Sequence, residues 1–147
     1  MSTKPGEDPG AKGLARRHLR LGWWALTLFI GLGFVLESLL GLRVPWYVDA
    51  TNETRRLMFR LGHAHGTLLA LVNVAFGLTL ASSAGPASLP PWASRALTIA
   101  TFAVPLGFVG GGVVFYESDP GLAIVLVPIG AVAALVGVGG LAISLRR

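Results

Sequence analysis

The sequence predicts an all-α integral membrane protein, a bundle of four transmembrane helices joined by short loops, with both ends of the chain on the cytoplasmic side. Two observations carry this prediction. Four long apolar runs recur along the 147 residues, and about 20 apolar residues in a helix cross a bilayer core about 30 Å thick. The chain is also 53% hydrophobic and only 13% charged, with a mean hydropathy of +0.68, whereas a soluble domain carries about 25% charged residues. The runs are continuous rather than alternating, which argues against a β-barrel, the other architecture that satisfies its backbone in lipid.

Residues 1–18 read as a disordered basic tail, polar and rich in Pro and Gly at its start. The transmembrane domain then covers 19–147. The first span is expected at about 21–42 and carries one charge, Glu37. It is too long for the apolar core of a signal peptide, and no small-residue cleavage site follows it. The second span, about 61–82, holds no Lys, Arg, Asp or Glu. Pro86, Pro90 and Pro91 force a turn over 83–91. The third span is expected at about 96–116. The segment Glu117-Ser118-Asp119-Pro120-Gly121 is a tight polar turn, and the fourth span follows at about 122–145.

Orientation follows from the basic residues beside the spans. Lys4, Lys12, Arg16, Arg17, Arg20, Arg95, Arg146 and Arg147 fall on one side, and Arg43, Arg55, Arg56 and Arg60 on the other. The excess places the first group inside. Trp23, Trp24 and Trp92 then form an inner aromatic belt, and Trp46, Tyr47 and Tyr116 an outer one. The net charge of +5 sits next to apolar spans, so its partner is an anionic lipid surface rather than nucleic acid. The absence of Cys excludes disulfides, thiolate catalysis and iron–sulfur ligation. Usage rich in Ala, Gly, Leu and Arg suits the inner (plasma) membrane of a bacterium, where the sequon Asn52-Glu53-Thr54 has no glycosylation role.

Small residues allow transmembrane helices to approach closely. Gly62, Gly66, Ala70, Asn73 and Gly77 share one face of the second span at about 100° per residue. The third span has Gly107 and the triplet Gly110-Gly111-Gly112, preceded by Pro105. The fourth has Gly130, Ala133, Ala134 and Gly137, with Pro128 near its start. The plain expectation is close packing. The sharper one is that Pro105 and the glycine triplet bend the third span to admit a ligand.

Ionisable residues inside a membrane point to a functional site. Here they are Glu37, His63 and His65. Glu37 and His65 lie at similar depth on helices joined by one loop, roughly 8 Å below the outer interface at about 1.5 Å per residue. His63 and His65 are about 200° apart and flank the small-residue face, so they do not chelate one ion together; a metal site would use His65 with Glu37. The groove between them could take a helix or a flat cofactor. Three readings of the cluster remain open: a Glu–His hydrogen bond that fixes the hairpin, a haem, quinone or transition-metal site, and a proton- or cation-coupled transport site. Asn73, Tyr47, Tyr116, Glu117 and Asp119 are further polar candidates, the last four as a cap over this site or a docking surface. His18, within Arg16-Arg17-His18-Leu19-Arg20, reads as a lipid headgroup contact. No phosphate-binding loop, nucleophile elbow or zincin motif is present, so no enzyme activity is expected of the chain alone.

The string Gly62-His63-Ala64-His65-Gly66, ahead of an apolar helix, locally resembles the His-bearing helices of haem–copper oxidase catalytic subunits. That resemblance implies haem or metal binding and carries over no residue assignment, because the oxidase subunit has more spans and more ligating His. Four spans with a Glu in the first also resemble the small multidrug transporters, whose Glu sits nearer mid-helix. The expected function is a small redox protein or redox-complex subunit, with a non-catalytic accessory subunit as the alternative and a coupled transporter third. Other membrane subunits or further copies of the chain are the expected partners.

Overall fold

Proline and glycine set the breaks in this chain, and uninterrupted apolar sequence sets the lengths between them. The computed structural model describes residues 9–86 and 88–146. Four α-helices result: α1 Pro9–Gly41, α2 Thr54–Ala81, α3 Pro91–Val113 and α4 Leu126–Ser144. A two-stranded hairpin, β1 Phe115–Tyr116 and β2 Asp119–Pro120, and a 3₁₀ turn over Leu122–Val125 join the last two helices. All four helices are long and apolar enough to cross a membrane, the fourth together with its 3₁₀ turn. The protein is a multi-pass four-helix membrane bundle.

Consecutive helices pack on each other, α1 on α2, α2 on α3 and α3 on α4. Helices α2 and α3 form the centre, while α1 and α4 flank it and turn most of their surface outward. The contacts follow a 3-4 spacing. On α1 the buried positions are Ala15, His18, Gly22, Ala25, Phe29 and Leu36; on α2 they include Phe59, Gly62, Gly66, Leu69, Asn73, Phe76 and Leu80. This alternation of three and four keeps one seam of each helix in contact with the other. Small residues set its closeness. A Cβ on Gly22 would lie 2.8 Å from the Val74 backbone nitrogen, and one on Gly137 would lie 2.8 Å from that of Leu97.

The helices begin earlier than the hydropathy predicts. Of the tail expected to be disordered, residues 1–8 lie outside the described residues, and 9–18 are helical. Ala15 and His18 extend the buried seam of α1, so packing against α2 orders the segment. Helix α2 starts at Thr54 rather than 61, which puts Arg55, Arg56 and Arg60 in its first two turns. Helix α3 starts at Pro91, whose fixed φ suits a first helical position, and ends at Val113, three residues early, where the hairpin begins. Pro128 supplies no N–H to the Ile124 carbonyl, and residues 122–125 wind as a 3₁₀ turn before α4 proper.

The glycine triplet of α3 opens no ligand space. Gly110 faces Ala123, Gly111 faces Pro120 and Gly121, and Gly112 faces Met58 and the Arg55 carbonyl. Three consecutive residues point in three directions, each toward a different neighbour; Gly110 and Gly112 lie too close to theirs for a Cβ, while Gly111 is in ordinary contact.

Arg55 joins the elements at this hairpin end. Its Nη1 donates to the Trp46 carbonyl at 2.7 Å and its Nε to the Gly112 carbonyl at 3.2 Å, in the last turn of α3, where a cation suits the helix dipole. The guanidinium also lies 4.4 Å from the Trp46 ring centre and 4.9 Å from that of Phe115. Thr54 Oγ1 donates to the Ser118 carbonyl, and the Asn52 side-chain amide to that of Glu117. Arg55→Gln should therefore cost about 1–3 kcal/mol, read as a lower midpoint in thermal unfolding in detergent. Arg56→Gln, which loses only a partly exposed ion pair with Glu53, should stay within about 0.5 kcal/mol.

Candidate functional site

The two histidines of α2 diverge, as residues two apart on a helix must. His63 turns to α1: its Nδ1 donates to the Phe29 carbonyl at 2.8 Å, and the ring packs over Gly33, where a Cβ would come within 2.5 Å of Cε1. His65 turns the other way, with its Nδ1 donating to the Leu61 carbonyl at 2.9 Å and its ring centre 4.9 Å from that of Phe108 on α3. In both rings Nδ1 carries the proton, because a carbonyl only accepts. Nε2 of the neutral ring is then a lone-pair acceptor in each, with no hydrogen-bond partner among the described residues.

Glu37 is exposed on α1. It lines a shallow groove with His63, Ile30, Gly33 and Phe34, and makes no hydrogen bond or ion pair among the described residues. The structure thus associates Glu37 with His63, and places His65 on another face. No group of three or more His, Cys, Asp or Glu side chains gathers around one point among the described residues. Protein fills the small-residue face between the two histidines: the Phe29 ring lies on Gly66, and Val109 lies on Gly62. It is a helix-packing face and leaves no slot for a flat cofactor.

His65 borders a groove of about 650 Å³ between α2, α3 and α4. Leu68, Leu69 and Val72 form one wall, Val104 the floor, and Val127, Ala134, Leu135 and Val138 the other wall. His65 is the one polar side chain among its lining residues.

The remaining candidates at the hairpin end separate. Tyr47 is 2% exposed and packs with Leu36 and Phe59; burial pushes its phenol pKa up, against the pull of Arg60 and Arg56. Asp49 Oδ1 accepts from the Thr51 hydroxyl, the Thr51 N–H and the Asn52 N–H, which holds its carboxyl below the usual range. Tyr116, Glu117 and Asp119 are exposed on the hairpin. Glu117 serves through its backbone, with φ of 51° at the first turn position, where two-residue hairpins demand a positive value.

The opposite, basic end holds what the sequence reading missed. His18 is not a headgroup contact; it is 0% exposed. Its Nδ1 donates to Asn73 Oδ1 at 2.8 Å, and its Nε2 meets Ser94 Oγ at 2.8 Å. Asn73 Nδ2 donates to the Leu69 carbonyl and to Thr101 Oγ1, which in turn donates to the Leu97 carbonyl. The directions are fixed from the carbonyl ends: Leu69 and Leu97 accept, so Asn73 presents its amide NH₂ to Thr101 and its oxygen to His18. A neutral His18 with the proton on Nδ1, accepting from Ser94, completes the chain with every member paired. The network joins α1, α2 and α3, and Phe76 covers the ring at 4.5 Å between centres. One signal could have found it, since His18 continues the 3-4 spacing of Gly22, Ala25 and Phe29.

No protein-family model matches the chain, and neither a curated protein nor a solved structure is significantly similar to it.

Proposed function

We propose that this protein binds an isoprenoid quinone in the His65 groove and works in a bacterial inner membrane, basic end toward the cytoplasm, as a subunit of a redox complex. One observation carries the reading: a wholly apolar groove has a single imidazole on its border, with Nδ1 held by a backbone carbonyl and Nε2 open. An apolar site with one convergent polar group suits a ligand with an apolar tail and a polar ring. A quinol hydroxyl would donate to His65 Nε2, and as the quinol gives up two electrons the imidazole would take that proton while the proton of the second hydroxyl passes to solvent. The electrons pass to a partner subunit that carries a redox centre.

Purified full-length protein titrated with a short-chain ubiquinone analogue, followed by tryptophan quenching, should bind with a Kd in the micromolar range. His65→Ala should weaken binding at least tenfold, and His63→Ala less than twofold. Equal affinity in wild type and His65→Ala overturns the reading. The accessory-subunit alternative is favoured by the outward faces of α1 and α4, which leave room for neighbouring helices. Stoichiometric partners retained by His65→Ala protein with no quinone affinity in the wild type would support it instead.

A further inference from the structure

On α1, the face opposite the buried seam carries Arg16, Arg20, Trp23, Trp24 and Thr27 within about 100° of arc. All five are exposed, Trp23 and Trp24 at 58% and 76%. Arg20, Trp23, Trp24 and Thr27 line one groove of about 370 Å³. Trp24 also lines a second groove of about 370 Å³, which runs between α1 and α3 past Leu28, Leu32, Phe102 and Leu106. The shared indole joins a polar compartment to an apolar one. The apolar compartment extends from Trp24 to Leu32, about 12 Å at 1.5 Å per residue.

We infer that this double groove is a binding site for one anionic phospholipid of the leaflet at the basic end. Its phosphate is held by Arg20 with Arg16, and one acyl chain lies in the α1–α3 groove. Charge selects the ligand. Lys12, Arg16, Arg17, Arg20, Arg95 and Arg146 gather at this end, while the described carboxylates, Glu37, Asp49, Glu53, Glu117 and Asp119, all lie toward the other. Guanidinium groups bind phosphate oxygens through paired N–H donors, and tryptophans settle at the glycerol level of a bilayer. A diffuse basic surface would attract anionic lipid without retaining it. The apolar groove continuing from the same indole turns attraction into a site. It is distinct from the His65 groove, which faces α4, and does not depend on quinone binding.

The test is native mass spectrometry of the full chain released from nanodiscs of equal phosphatidylglycerol and phosphatidylcholine. The wild type should retain one phosphatidylglycerol, with at least fivefold preference over phosphatidylcholine. Arg20→Gln should bring that preference below twofold, and Leu28→Trp, which fills the groove, should lower retention of either lipid. Arg146→Gln, at the same end but just past the end of α4, should leave the preference intact. Equal losses in Arg20→Gln and Arg146→Gln would mean that general charge alone attracts the lipid, and would overturn the site. So would a wild type without preference, or full retention in Leu28→Trp.

Discussion

Replacing His18 with Ala is expected to destabilise the protein by about 2–4 kcal/mol. Two losses combine. The ring leaves a cavity against Phe76, of the kind that costs roughly 2–5 kcal/mol in a packed core when nothing collapses into it. Asn73 Oδ1 and Ser94 Oγ also lose their partner, and a buried polar atom left unpaired costs about 1–3 kcal/mol. Interhelical hydrogen bonds in membranes average nearer 0.6 kcal/mol, which keeps the total toward the middle of the range. Unfolding in mixed detergent and SDS, followed by circular dichroism, measures it. A double-mutant cycle with Ser94→Ala isolates the coupling: once His18 is gone, removing the Ser94 hydroxyl should cost little, because its acceptor is already lost. Additive losses in the cycle would show that the two side chains act separately. His18→Gln, whose amide can still donate to Asn73, should recover part of the loss.

That residue also marks where the sequence could be read and where it could not. The four spans were legible because lipid imposes one requirement, a continuous apolar helix, and composition alone reports it. The packing face Gly62, Gly66, Ala70, Asn73 and Gly77 was legible for the same reason, since small residues at four-residue spacing have few other uses in a membrane. Divergence of His63 and His65 follows from helix geometry. The start of α1 was not legible from hydropathy, which sees Arg16, Arg17 and Arg20 and stops at the membrane boundary; the helix continues because its other face, Ala15 and His18, packs on α2. Ser94 and Thr101 escaped notice because a hydroxyl in a transmembrane helix ordinarily bonds its own carbonyl four residues back, and only tertiary contact shows that Ser94 donates to His18 and Thr101 accepts from Asn73. Pairing of Glu37 with one histidine or the other depended on the rotation of α1 about its axis, which spacing along the chain does not fix. The basic end holds the most extensive buried polar network among the described residues.

Gly121→Ala should cost about 2–3 kcal/mol, although it adds a single methyl group. Backbone conformation is not the cause, because Gly121 has φ of −64°, which alanine adopts freely. Space is the cause: a Cβ there would lie 1.9 Å from the Val114 carbonyl oxygen and 2.9 Å from its carbon. Both are backbone atoms, so no side chain can swing aside, and β1 or the 3₁₀ turn must shift by more than 1 Å to reach ordinary contact of about 3.5 Å. Such a shift pulls on the Gly121 N–H that donates to the Gly111 carbonyl at 2.9 Å, and on the Thr54 and Asn52 bonds to Ser118 and Glu117. Gly31→Ala and Gly139→Ala are the matched comparisons. Neither would meet any atom within 4 Å, so each should be neutral or gain up to about 1 kcal/mol from helix propensity. If Gly121→Ala unfolds at the same midpoint as those two, the hairpin is not anchored as described. The consequence reaches the His65 groove, since the 3₁₀ turn leads directly into Val127 on its wall. Gly121→Ala should therefore weaken quinone-analogue binding while leaving the Nε2 of His65 untouched, and combining it with His65→Ala should weaken binding no further than His65→Ala alone if the imidazole is the anchoring contact.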